Sequence, residues 1–251
     1  MTRAQMKQRK CDDTAARLAG TAVPSGAAWA TDLRQQSLAR LLAMGLPTKR
    51  DEYWKWTDPA TLTSAEANTA EVFDPNEAPF FDGIDRLKIV FVDGVFDAAA
   101  SDDFAGEGFE ISTLKDALSA DIHWAKEAYG VLEQAGQSPV ERPLAAMNTA
   151  LDTDGVVIRG TGKVEKPISI IYKHENETSD AILHNLVKLE AGAELTLLEN
   201  GPAAARFNKV LEVEVADGAS FHHVRAQGRD HERRAATHIF ARLGTESLFK
   251  S

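Results

Sequence analysis

The sequence holds a single cysteine, Cys11, in 251 residues. That count excludes an intramolecular disulfide framework and leaves no Cys-x-x-Cys pair for zinc or a cysteine-ligated cluster. Long apolar runs are also missing, since no stretch approaches the ~20 residues of a membrane-spanning helix. The basic start (Arg3, Lys7, Arg9, Lys10) leads into no apolar segment of a secretory signal, and it reads as a frayed, charged tail. Positive charge is in deficit, with 28 Lys and Arg against 38 Asp and Glu for a net of −10. Residues 1–150 carry −8 of that total and residues 151–251 only −2. Such a balance repels phosphate backbones and argues against nucleic acid as a partner. No membrane partner is expected either.

Familiar catalytic signatures are absent too. There is no Gly-x-Ser-x-Gly elbow, Walker A loop or His-Glu-x-x-His pair. Gly160-Thr161-Gly162-Lys163 lacks the spacing and the following helix of a phosphate loop, so it reads as a turn between strands. Glu190, Glu194, Glu212 and Glu214 fall near outward positions of alternating segments, where they read as solubilising charges. No pair of carboxylates is gathered as sugar hydrolysis requires.

What is present, most visibly, is a repeat. Gly192, Gly218 and Gly244 are spaced by 26 residues, each flanked by residues alternating with period two. Alternation marks strands, and a fixed period of this size marks a β-solenoid whose coils cover one another. Each glycine is expected at the bend between two strands, where a positive φ carries no steric penalty. Strand patterns run from Val156 to the end, at Val156–Ile158, Ile168–Tyr172, Ile182–Leu189, Leu195–Leu198 and Val210–Val215, then in the two later runs.

Residues 1–150 read differently. Trp29 to Met44 forms an amphipathic helix with Trp29, Leu33, Leu38, Leu41 and Leu42 on one face, closed by Gly45 and Pro47. Leu87–Phe96 contains an Asp93-Gly94 hairpin signal, taken as a small sheet element among helices. Ser112 or Thr113 caps a short helix, and Asp121 caps another with Ile122, Ala125, Tyr129 and Leu132 on one face. Pro143 opens a third through Leu151. The boundary between helical region and β core is set near residue 150. Between Leu46 and Pro59 the chain packs three aromatics among charges, and the reading is a structured elbow with Trp54 and Trp56 anchored on the body while Lys49 and Arg50 stay in water.

Histidines are the natural place to seek a metal. His222 and His223 are adjacent, with His231 and His238 following among Arg225, Arg229, Arg233 and Arg234. Neighbouring strand residues point to opposite faces, so His222 and His223 cannot share one ion, and His223 is expected inward in register with Leu197 and Phe249. Gly228 to Arg234 reads as a solvated loop. No catalytic, cofactor-binding or metal residue is assigned.

Several blocks occur together in order: Leu46-Pro47-Thr48-Lys49-Arg50-Asp51-Glu52-Tyr53-Trp54-Lys55-Trp56-Thr57-Asp58, Val90 to Phe96, Leu144 to Leu151, Asp154 to Ile158, Glu165 to Ile168, Leu189 to Glu199 and His223-Val224-Arg225. This series resembles the SufB/SufD family of iron–sulfur cluster assembly scaffolds, on its SufD side. The resemblance implies a right-handed parallel β-helix after a helical N-terminal region, acting without catalysis in a cytoplasmic SufBCD complex. It implies a SufB-like paralogue as partner through the β-helix and a SufC-like ATPase docked on a C-terminal helical domain, with the nascent iron–sulfur cluster a property of the complex. Family chains continue past the equivalent of Ser251, so the expectation is a truncated β-helix with an open edge at Phe249-Lys250-Ser251 prone to pair with another chain. The family's assembly histidine falls in that further part, and none of His174, His184, His222, His223, His231 or His238 inherits its role. The alternative class is a β-solenoid enzyme acting on carbohydrate or acyl substrates, whose left-handed acyltransferase form shows six-residue repeats that are absent here.

Overall fold

A computed structural model describes residues 3–72, 80–227 and 232–251. The chain is mainly β: a parallel β-solenoid of about three turns follows a helical N-terminal region. Strands alternate between two sheets as the chain winds. Into one go β5 (Ile168–Lys173), β7 (Glu194–Asn200), β9 (Ser220–Ala226) and β11 (Leu248–Lys250); into the other go β4 (Val156–Gly160), β6 (Asp180–Leu189), β8 (Arg206–Val215) and β10 (Arg234–Leu243). Within each sheet these strands stack in parallel. Inward positions such as Ile170, Leu183, Leu195, Leu197, Phe207, Leu211, Val213 and Phe221 form one continuous core between the sheets. Since alternate residues face alternate sides, each inward ladder is covered only when the next coil lands in register.

The register corrects the glycine repeat. Asp180 lies opposite Arg206 and Glu194 opposite Ser220, a step of 26 residues, but Arg206 lies opposite Arg234 and Ser220 opposite Leu248, a step of 28. Gly192 and Gly218 occupy equivalent bends with φ of +72° and +67°. The third bend falls on Glu246, at φ +54°, and not on Gly244. Gly244 is needed for another reason: a Cβ there would sit 2.7 Å from the backbone nitrogen of Asp217 in the coil below. The two extra residues lie between β9 and β10, where 227–233 replaces the shorter 201–205 of the preceding coil.

The first strands do not form a separate sheet as the sequence suggested. β1 (Leu87–Val92) pairs in parallel with β5, and β2 (Val95–Phe96) folds back on β1 through Asp93 and Gly94, both with positive φ. β3 (Phe109–Thr113) lies antiparallel to β4. These strands therefore extend the solenoid sheets beyond their first coil.

Helices cover the outer face of the second sheet. α2 (Ala28–Met44), α3 (Ala60–Thr63) and α6 (Pro143–Leu151) close over Ile182 and Ala236, while α4 (Leu114–Ser119), capped by the Thr113 side chain, packs over Val157 and Leu186. The segment expected as one helix from Asp121 is broken. A 3-10 turn at Trp124–Glu127 is followed by Gly130 at φ +72° and then α5 (Val131–Ala135), which leaves Ile122 95% exposed. On α2 the buried stripe is Ala30, Arg34, Ser37 and Leu41, with Leu42 on the outside. The N-terminal stretch, read as a tail, is helix α1 (Arg3–Leu18). Three polar contacts tie it down: the Thr14 hydroxyl accepts the Leu46 amide at 2.9 Å, Arg17 pairs with Asp180 at 2.6 Å, and Lys10 pairs with Asp51 at 2.7 Å. Among the described residues no helix is long and apolar enough to cross a membrane.

The bends yield a test. A non-glycine residue in the left-handed region costs about 1–2 kcal/mol, so Glu246→Gly should raise unfolding free energy by about 1 kcal/mol in urea titrations. Gly218→Ala should lower it by a similar amount, because the space there is open and only φ is at issue.

Candidate functional site

The interior of the solenoid is not wholly apolar. Glu199 shares the inward parity of Leu195 and Leu197 on β7, and Lys209 shares that of Phe207 and Leu211 on β8. Their side chains meet as a fully buried ion pair. The next coil adds Arg225, in register with Glu199, and His223, in register with Leu197 as expected. His223 Nε2 stands 3.5 Å from Oε1 of Glu199, and its Nδ1 lies 2.9 Å from the Ser251 hydroxyl rather than over Phe249. The shift from Phe249 to Ser251 follows directly from the 28-residue coil. Arg225 donates to the Thr237 hydroxyl at 2.5 Å, and its guanidinium lies 5.9 Å from the Phe207 ring centre.

Electrostatics follow from burial. Desolvation opposes charge on Glu199, but Lys209, His223 and Arg225 overcome it and hold the carboxyl well below its usual range. Desolvation also dominates at Lys209, whose pKa is pushed down to about 8 despite Glu199. Burial, with Glu199 adding to it, raises the phenol of Tyr172 far above its usual value, so Tyr172 stays neutral. The Lys209 ammonium occupies the carboxylate that a metal ion would need. Among the described residues no group of three or more His, Cys, Asp or Glu side chains is placed to hold a metal.

A second buried network fastens the helices to the solenoid. Glu212, read from the sequence as a surface charge, is 0% exposed. It does point away from the lumen, yet the helical layer covers that face. Its carboxylate accepts the amides of Gly130 and Glu133 at 2.6 and 2.7 Å and lies 2.9 Å from His184 Nε2. On the other side of His184, Asp152 pairs with Arg34 at 2.5 Å and meets the Tyr129 hydroxyl. Burial, reinforced by Asp152, raises the Tyr129 phenol well above its usual range. Asn148 on α6 donates to the carbonyls of Leu183 and Asn208 at 3.0 Å each, and so bridges adjacent coils. This is internal bracing: each of these side chains bonds to or pairs with another part of the chain, although Arg34 Nε, Asn148 Oδ1 and His184 Nδ1 are buried without a hydrogen-bond partner.

His222 is exposed and His223 buried, on opposite faces. His238 is half-buried and stacks on Phe240; burial lowers its pKa to about 4, with Arg142 adding to the effect. His231, Arg229 and Gly228 lie outside the described residues, while Arg233 donates to the carbonyl of Gly201 at 3.2 Å. Glu194 is exposed, whereas Glu190 and Glu214 are half-buried and pair with Arg159 and Arg242. Gly160–Lys163 joins β4 to β5, with the Thr161 amide donating to Gly108 at 2.8 Å. In the elbow, Trp54 packs on the helical core as expected, but Trp56 does not: it lies just past the 3-10 turn at Glu52–Trp54 and is 89% exposed.

No protein-family profile matches the chain. The chain is similar to the iron–sulfur cluster assembly protein SufD of Escherichia coli (strain K12), with 27% identity over 180 residues. The match takes in 66% of this chain and 38% of that protein, so the chain spans well under half the length of its relative. This likeness supports a relationship to the SufB/SufD family.

The lumenal pair gives a prediction with a defined sign. Removing one member leaves an uncompensated buried charge, so Glu199→Gln and Lys209→Met should each cost about 3–5 kcal/mol, while Glu199→Leu with Lys209→Leu should cost far less than their sum. A carboxyl held below its unfolded value of 4.5 contributes stability that is present above that pH and lost on acidification. At the alkaline end, Lys209 titrates at about 8 when folded and 10.5 when unfolded, so its contribution makes stability rise with pH across that window. Urea titrations at several pH values should show both slopes in the wild type and each of them reduced in the double variant.

Proposed function

We propose that this chain is a non-catalytic scaffold in iron–sulfur cluster assembly, a SufD-type subunit. The observation that carries this reading is the 27% likeness to SufD in a chain that forms a parallel β-solenoid behind a helical region. The buried polar groups support it as well. In the lumen and beneath the helices, charges are matched to one another within the chain, which suits a rigid body that holds other proteins in position.

In this reading the solenoid is a right-handed β-helix, and a SufB-like paralogue pairs with it. A SufC-like ATPase supplies nucleotide turnover to the assembled SufBCD complex. The cluster is cargo of the complex, built at the junction of the two scaffold proteins, and this chain holds no resident cofactor. The setting is the cytoplasm. Rigidity has a direct use there: motion generated by the ATPase passes to the junction only if the intervening body does not deform.

Co-expression with SufB-like and SufC-like proteins, with the affinity tag on the ATPase, tests the proposal. The expected result is co-purification of all three, and a complex that gains iron–sulfur absorbance when supplied with iron and sulfide under reducing conditions. Recovery of the SufB–SufC pair with this chain left in the flow-through would contradict it.

A further inference from the structure

The elbow between Leu46 and Pro59 remains unexplained by the scaffold reading. It is a firmly built piece of chain. Asp51 accepts the Thr48 amide at 2.6 Å and the Thr48 hydroxyl at 3.1 Å, and its other oxygen pairs with Lys10 of α1 at 2.7 Å. Trp54 donates its amide to Asp51 at 2.9 Å and packs its ring on the helical core. Yet this braced turn presents Tyr53 at 66% and Trp56 at 89% exposure. Two large rings held in water on an ordered turn are the composition of an interface anchor, because ordering entropy has already been lost and ring area is available for burial.

Cations frame both rings. Lys55 lies over Trp56 at 5.2 Å from its centre, and Arg142 lies over Tyr53 at 5.6 Å. Beside the elbow runs a groove of about 900 Å³, reached by Lys7 and Cys11 from α1 and by Lys49, Arg50 and Glu141 from its other walls. Lys7, Lys49 and Lys55 form no salt bridge among the described residues. Two nearby acids are paired within the chain, Asp13 with Arg9 and Asp51 with Lys10, while Asp58 accepts the Ala60 amide at 3.0 Å and keeps its charge. Glu52, Asp58 and Glu141 are the remaining negative charges, set against Lys7, Lys49, Lys55 and Arg142. In a protein of net charge −10, this is a local reversal of sign.

We propose that the elbow and its groove are a docking surface for an acidic segment of a protein partner, with apolar side chains of that segment packing on Trp56 and Tyr53 and its carboxylates facing Lys7, Lys49 and Lys55. Charge complementarity selects the occupant. Acidic groups gain from the cationic rim, and the protein's overall negative charge disfavours nucleic acid and anionic lipid, which spread their charge over a wide area. The surface sits on the helical layer and uses none of the solenoid's inward residues.

The test is a fluorescence anisotropy titration of the full chain with a short labelled peptide alternating glutamate and leucine. Parallel titrations use the same peptide with lysine for glutamate, a single-stranded oligonucleotide, and vesicles rich in phosphatidylserine. The acidic peptide should bind, weaken with added salt, and protect the amides of residues 48–58 from hydrogen exchange. Trp56→Ala, and separately Lys49→Glu with Lys55→Glu, should weaken it about tenfold or more, while Trp56→Phe retains most of the affinity. Because these side chains are exposed, unchanged thermal unfolding confirms that the variants remain folded. Absence of binding, equal binding by wild type and folded variants, or stronger protection of 48–58 by oligonucleotide or vesicles overturns the proposal.

Discussion

No coil of this solenoid buries its own inward face; each depends on parallel register with the coil beside it. Leu183, Leu211 and Leu197 are shielded because β6, β8 and β7 align residue by residue with their neighbours. A slip of one residue would exchange every inward and outward side chain. The constraint reaches well beyond apolar packing. It brings Glu199 to Lys209 across the lumen, sets Arg225 over Glu199, and places His223 beneath Ser251. Where a coil lengthens from 26 to 28 residues, the chain keeps the register and accepts a left-handed glutamate at the bend.

The helical layer completes a second shell of the same logic. Strands buried on both faces need cover outside as well as inside, and α2, α4 and α6 provide it over the second sheet. Apolar contact alone would leave these helices free to slide. Arg34, Tyr129 and Asp152 on the helical side, with His184 and Glu212 on the strands, replace that freedom with directional contacts in a water-free setting. Such groups are costly unless every partner is in place, so they define one seating of the layer.

Much of the architecture was legible because strand alternation is a local signal. The strands, the α2 and α6 helices and the inward placement of His223 follow from period and punctuation. What escaped depended on contacts far apart in sequence. Glu212 was correctly taken as pointing out of the lumen, but its burial under Gly130 and Glu133 arises from residues about 80 positions away. Lys209 sits in Arg206-Phe207-Asn208-Lys209, too polar to look like core, and only the turn back from Glu199 supplies its counterion. Gly244 kept the period by coincidence, whereas Glu246, at the true bend, carries no glycine signal. Helix α1 has no apolar stripe strong enough to announce itself and is fastened by Thr14 and Arg17 instead. Trp56 looked like an anchor because exposed tryptophan is uncommon, and that same rarity is what makes the elbow informative.

The solenoid and its helical layer form one mechanical body joined through His184, Glu212 and Asp152. Native-state hydrogen exchange under increasing denaturant tests this most directly, by comparing amides of α6 with those of β6 and β8. Exchange of both sets through a single opening of common free energy and common denaturant dependence is the predicted result. Opening of the helices at a distinctly lower free energy, with the strands still protected, would contradict it.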